Sequence, residues 1–124
     1  MKEILNRDLG SEYAYLKDSK VGQLTHSAGV VITSTNGLRL IYCSGKTATN
    51  DTGATAAERD SIVGVGDIGE QTRQVCRNIQ ATLALAGATM DDIVRVRVYV
   101  VAPLDRASFA AIHDARAEFF SPEH

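Results

Sequence analysis

Asn36-Gly37 sits between two β-prone apolar runs, Val30–Thr33 and Leu38–Cys43. Asn-Gly is the strongest short-range hairpin signal, because both residues tolerate the positive φ that tight turns demand. An antiparallel hairpin is therefore expected from Gly29 to Cys43. It ends abruptly at Ser44-Gly45, before a polar loop. Ser44 puts a hydroxyl at the end of a rigid element, and Gly45 lets a ligand approach the backbone with no Cβ in the way.

The Thr-, Ala-, Gly- and Asp-rich stretch 46–66 reads as one long loop, with Glu58-Arg59-Asp60 as solvated charge. Asp67 is a credible N-cap, with Glu70 three residues on to complete a capping box. A helix follows from Ile68 to Ala86. Ile68, Thr72, Val75, Ile79, Leu83 and Ala86 recur at three- and four-residue steps as one buried stripe. Gly87 stops the helix, and Asp91-Asp92 make a turn.

Within residues 93–101, Val94, Val96, Val98 and Val100 share one face and Arg95, Arg97 and Tyr99 the other. A strand is expected, its valine face covering a helix layer. Pro103 breaks it, and a second helix runs from Leu104 to Phe120. Before Gly29 the pattern is poor, apart from a short helical turn or packed loop at Glu12–Leu16. The order hairpin, helix, strand, helix makes an α+β domain with two helices on one face of a mixed sheet. Three strands are a thin sheet for two helices, and nothing covers the Arg95/Arg97/Tyr99 face. Other copies of the chain, or further strands after His124, would supply the missing cover.

The 124 residues suit one domain. Thirteen Lys and Arg against 15 Asp and Glu leave a formal charge of -2, which gives nucleic acid no electrostatic attraction. No apolar run approaches membrane-spanning length, and the N-terminus lacks a signal-peptide core. A cytoplasmic protein that binds neither membrane nor nucleic acid is expected. Cys43 and Cys76 are far apart and form no CxxC, so both read as buried free thiols with no metal site.

Gly64-Val65-Gly66-Asp67-Ile68-Gly69 matches GxGxxG. It is rejected as a dinucleotide site, because Asp67 and Glu70 would place carboxylates where a pyrophosphate must sit. A glycine-rich start to a helix is the better reading. Ser44 with His26 or His113 could form a nucleophilic pair, but no Gly-x-Ser-x-Gly elbow exists and no Asp is placed to orient an imidazole. Arg95 and Arg97 share a face and could clamp a carboxylate, or could form ion pairs across a subunit interface.

Several segments together resemble the YjgF/RidA/UK114 family, also called endoribonuclease L-PSP. They are Cys43-Ser44-Gly45, Gln71–Ile79, Leu85-Ala86-Gly87-Ala88, Asp92–Val100, and Phe109–Ile112 with Phe119-Phe120. The resemblance covers most of the chain from Gly29. It implies a chorismate-mutase-like α+β domain in a homotrimer, with sheets lining a central barrel and ligand clefts between subunits. It also implies hydrolysis of reactive enamines and imines to keto acids and ammonia, with no cofactor or metal. Ser44 and Gly45 match the family's cleft residues. His26 stands where deaminating members usually place a tyrosine, and His113 where they place an asparagine. The family's C-terminal strands, which carry a substrate-binding arginine and a glutamate, are expected after the second helix and are not seen in this sequence. Ser44, His26 and His113 are thus the candidate catalytic residues, with Cys43, Gly45, Arg95 and Arg97 as candidate substrate contacts. A small-molecule imine, enamine or keto acid is the expected ligand. The alternatives are a non-catalytic trimer that binds small carboxylates or proteins and, less favoured, a ribonuclease.

Overall fold

The computed structural model describes residues 1–5, 28–101 and 103–123. The expectation for Glu12–Leu16 lies outside them. Three strands, β1 (Lys2–Leu5), β2 (Gly29–Thr33) and β3 (Arg39–Cys43), form one antiparallel sheet in the order β1-β2-β3. Leu5 pairs with Gly29 and Gly29 with Cys43; Ile4 pairs with Val30 and Val30 with Tyr42. The hairpin is present. Gly37 N donates to Ser34 O at 3.0 Å, Ser34 N to Leu38 O at 2.9 Å, and Gly37 takes φ +85°. That is a tight turn closed by a left-handed residue, which glycine adopts without steric cost.

Two sequence expectations for the sheet are corrected. Among the described residues the sheet is antiparallel, not mixed, and its third strand is β1, a short run without the alternation that marks a half-buried strand. Residues 93–101 join no ladder. A strand is a property of pairing, and no described strand lies alongside to take up its N–H and C=O groups. Among the described residues the valine face accordingly lacks most of its cover: Val94 is fully exposed, Val96 and Val98 are exposed, and Val100 alone is half-buried.

Helix α1 (Ala56–Asp60) lies inside the stretch expected to be loop. Thr55 caps it, and Glu58 returns a bond to the Thr55 N–H at 3.1 Å, a full capping box. The Thr-x-x-Glu spacing was the available signal for this helix. The segment around it closes on itself, with Asn50 N donating to Ser61 O at 2.9 Å and Val63 N to Ala48 O at 2.8 Å.

Helix α2 (Ile68–Leu85) begins at Asp67, whose Oδ1 accepts from Glu70 N at 3.0 Å, and is followed by Gly87 at φ +70°. The Glu70 side chain does not complete a box; it pairs with Arg73 at 2.7 Å instead. The expected buried stripe is only partly right. Leu83 and Ala86 are buried, whereas Ile68, Thr72, Val75 and Ile79 are half-buried. The other buried side chains of α2 are Cys76 and the polar line Gln74, Asn78 and Thr82.

Leu5, Val31 and Ala86, with Ile41 beside them, form the core under one sheet face. Cys76, Leu83 and Met90 continue it, flanked by Phe119 and Phe120. Helix α3 (Arg106–Ala117), capped by Asp105, packs chiefly along α2. It ends before Phe120 because the chain turns to drop both phenyl rings against the core, and Ser121 N donates to Asp91 Oδ1 at 2.8 Å. The opposite sheet face, with Ile4, Ile32, Leu40 and Tyr42, is exposed.

Arg73 joins the two helices. Its guanidinium reaches Glu118 through Nε at 2.9 Å and Nη2 at 2.8 Å. These hydrogen bonds hold the Glu118 carboxyl below the usual carboxylate range and push the Arg73 guanidinium further up. A depressed carboxyl stabilises the fold above its unfolded-state value, about 4.3, and that contribution fades as pH falls through the folded-state value. Acid unfolding of Glu118→Gln should therefore show a shallower fall in stability below about pH 4.3 than wild type, read by circular dichroism. Leu83→Ala should cost about 3 kcal/mol in denaturant melts, because it leaves a cavity beneath the sheet.

Candidate functional site

Ser44 follows β3 and is anchored by its own amide, which donates to Ala28 O at 3.0 Å. Gly45 is exposed, its φ is not positive, and a Cβ built on it would meet nothing within 4 Å. Neither backbone conformation nor packing among the described residues calls for glycine here. Cys43 is exposed, which corrects the expectation of a buried thiol; only Cys76 is buried. The two differ because Cys43 ends an edge strand, whereas Cys76 lies on the inner face of α2. Partial burial still pushes the Cys43 thiol up, opposed by the nearby Lys46 charge, and burial pushes the Cys76 thiol up.

A groove of about 510 Å³ runs between Ile93–Val96 and α3. Arg95, His113 and Arg116 bring its basic groups, and Ile93, Val94, Ala117 and Phe120 its apolar ones. His113 is exposed on α3 and stacks on Phe109, with ring centroids 6.4 Å apart and planes within 5°. The structure thus brings Arg95 and His113 to one groove and adds Arg116. Arginine 116 was missed by the sequence reading; its signal was a cation three residues after His113, hence on the same helix face. Arg97 does not line the groove, and its Nη1 lies 3.4 Å from Tyr99 Oη. Cys43, Ser44 and Gly45 do not line it either. His26 lies outside the described residues.

The glycine-rich turn before α2 is a helix start. Asp67 places its own carboxylate on the N-terminal amides, where a phosphate would otherwise bind. Among the described residues no group of three or more His, Cys, Asp or Glu could hold a metal ion. No helix among them is long and apolar enough to cross a membrane.

Comparison with known proteins settles the lineage. The model of the endoribonuclease L-PSP family matches residues 23–124. The chain belongs to that family. RutC family proteins of Pyrococcus horikoshii and Pyrococcus abyssi are each 44% identical to it over 55 residues, which is 44% of this chain. The matched stretch spans only 41% of each relative's length. A solved structure of a YjgF/YER057c/UK114 family member from Mycobacterium tuberculosis superposes with a TM-score of 0.57 at 25% identity, over 95% of this chain and 73% of that one. The fold is therefore that of the L-PSP family, with an antiparallel sheet and packed helices.

In this L-PSP family member the two thiols should be distinguishable by titration. A thiol reagent should modify Cys43 in the folded protein, faster as pH rises because thiolate is the nucleophile. Cys76 should react only on unfolding. Mass mapping that finds Cys76 modified first would contradict this placement.

Proposed function

We propose that this chain is a cofactor-free enamine and imine deaminase, which adds water across the C=N bond of a small imino acid and releases a keto acid and ammonia. The observation that carries the reading is Ser44-Gly45, a hydroxyl and an unneeded glycine at the open end of a strand in an L-PSP family member. A glycine required by neither φ nor packing fits a place where a ligand meets the backbone.

The chemistry divides among the named side chains. The substrate carboxylate needs a cation, and Arg95 supplies one at the groove, with Arg116 beside it. Departure of ammonia needs a proton on the nitrogen, and His113 is the groove's acid–base side chain. Ser44 hydrogen-bonds the substrate or the attacking water. His26 is a further candidate for proton transfer, and Cys43 and Arg97 remain candidate substrate contacts.

Because the Ser44 end and the groove have no lining residue in common, the reading includes association of copies as a homotrimer, so that a cleft draws on both. The exposed apolar face with Ile4, Ile32, Leu40 and Tyr42 supports such association. A second reading, capture of small carboxylates without turnover, is favoured by the basic and apolar lining of the groove. Ribonuclease action draws support only from the family's name, and the net charge of -2 opposes it.

Freshly generated 2-aminoacrylate is the test substrate. Release of keto acid and ammonia above the buffer rate supports the deaminase. Keto-acid binding without release favours the second reading. Gly45→Ala sharpens the test. Replacing an unstrained glycine by alanine stabilises by about 0.4–1 kcal/mol through the unfolded chain, so its melting temperature should hold or rise. Turnover should nevertheless fall at least ~10-fold if substrate lies against that backbone, since a small misplacement is costly. Unchanged turnover would remove Gly45 from the site.

A further inference from the structure

The backbone from Ser44 to Thr47 belongs to no helix or strand, yet both of its ends are fixed. At the near end Ser44 N is bonded to the sheet through Ala28 O. At the far end the partners are two side chains of α2. Asn78 Nδ2 donates to Thr47 O at 3.1 Å and to Thr49 O at 2.9 Å. Gln74 Nε2 donates to Thr49 O at 3.1 Å and to Asn78 Oδ1 at 3.0 Å. Arg77 Nη1 donates to Gln74 Oε1 at 3.3 Å. Each amide therefore spends both of its N–H donors and receives a bond at its oxygen.

Both are buried, Asn78 to 3% and Gln74 to 8% exposure. Apolar side chains at these positions would bury as much surface and avoid the cost of desolvating two amides. They could not, however, fix where the Thr47 and Thr49 carbonyls point. One helical turn separates positions 74 and 78, so both amides meet the same three residues of backbone. What they fix, two residues after Gly45, is the exit of the segment that carries Ser44.

We propose that Gln74 and Asn78 are positioning residues of the Ser44–Gly45 site. They hold the Thr47–Thr49 backbone so that the Ser44 hydroxyl and the Gly45 backbone meet substrate in one fixed geometry. This role rests on the deaminase reading above, and neither side chain touches substrate.

Gln74→Met keeps volume and removes both donors; Asn78→Leu does the same at the centre of the clamp. The test compares both with wild type in steady-state 2-aminoacrylate hydrolysis, and follows exchange of two amides: Val63, bonded to Ala48 O inside the clamped segment, and Asn50, the next residue along, bonded to Ser61 O. A positioning role predicts that kcat of the folded protein falls ~10- to 100-fold with KM changed less than ~3-fold, because orientation is lost while binding groups remain. It also predicts exchange at least ~10-fold faster at those two amides, with the central amides of α2 unchanged. Should Asn78→Leu fail to fold, Gln74→Met carries the test alone. Normal kcat in a folded Gln74→Met overturns the proposal, as does unchanged exchange at Asn50 and Val63. Wild-type protein that neither turns over 2-aminoacrylate nor binds keto acid overturns the deaminase reading instead; the exchange rates then still decide whether the clamp holds the segment.

Discussion

The carbonyls of Thr47 and Thr49 follow the last ladder bonds of β3, and a side-chain amide of α2 takes them both. Much of the remaining architecture follows from that bond. A helix held to a sheet by apolar contact alone can slide or rotate, because dispersion and hydrophobic burial have little direction. The Leu83 and Ala86 end of α2 packs in that undirected way beneath Leu5, Val31 and Ile41. The Gln74 and Asn78 end is directional, and it registers the helix against one specific stretch of chain. With α2 so placed, the excursion from Asn50 to Ser61 closes beside it, and α3 has a fixed surface on which to pack.

The sequence was legible where structure is local. Asn36-Gly37 announced the hairpin, Asp67 the start of α2, and Gly87 its end, since each acts through backbone geometry within a few residues. Reading failed where the deciding partner is remote. Gln74 and Asn78 on α2 look incidental beside the apolar stripe, because the backbone acceptors they serve lie 25 to 31 residues away in the chain. The Val and Arg alternation of 93–101 promised a strand, but alternation describes two faces and does not provide a neighbour. The short helix at Ala56–Asp60 is a different kind of miss. Its Thr55 and Glu58 box is a local signal, but the surrounding Thr, Ala, Gly and Asp have the composition of a loop, in which Glu58-Arg59-Asp60 looks like solvated charge.

The candidate site divides in the same manner. Ser44 and Gly45 were visible as the abrupt end of an apolar run. The gathering of Arg95, His113 and Arg116 was not, because it depends on how α3 crosses the segment after Ile93. Arg95 and Arg97, paired by spacing, part company once that segment is left without a ladder. The groove and the strand end are thus two separate chemical resources on one chain: basic groups beside an apolar wall, and a hydroxyl beside open backbone. Membership of the L-PSP family makes both of interest together.

The unladdered stretch after Ile93 has a further consequence, for behaviour at high concentration. Exposed Val94, Val96, Val98 and Tyr99 carry strong β-propensity with no partner strand among the described residues, the kind of segment that templates itself onto a second copy. Two arginines interrupt it at alternate positions. Stacking such segments in register would set like guanidinium charges side by side, which is costly, so the arginines act as gatekeepers against indiscriminate aggregation. An ordered partner bearing acidic groups would meet no such penalty. The same residues that make the stretch a candidate for binding anions thus also discriminate among the chains that could pair with it.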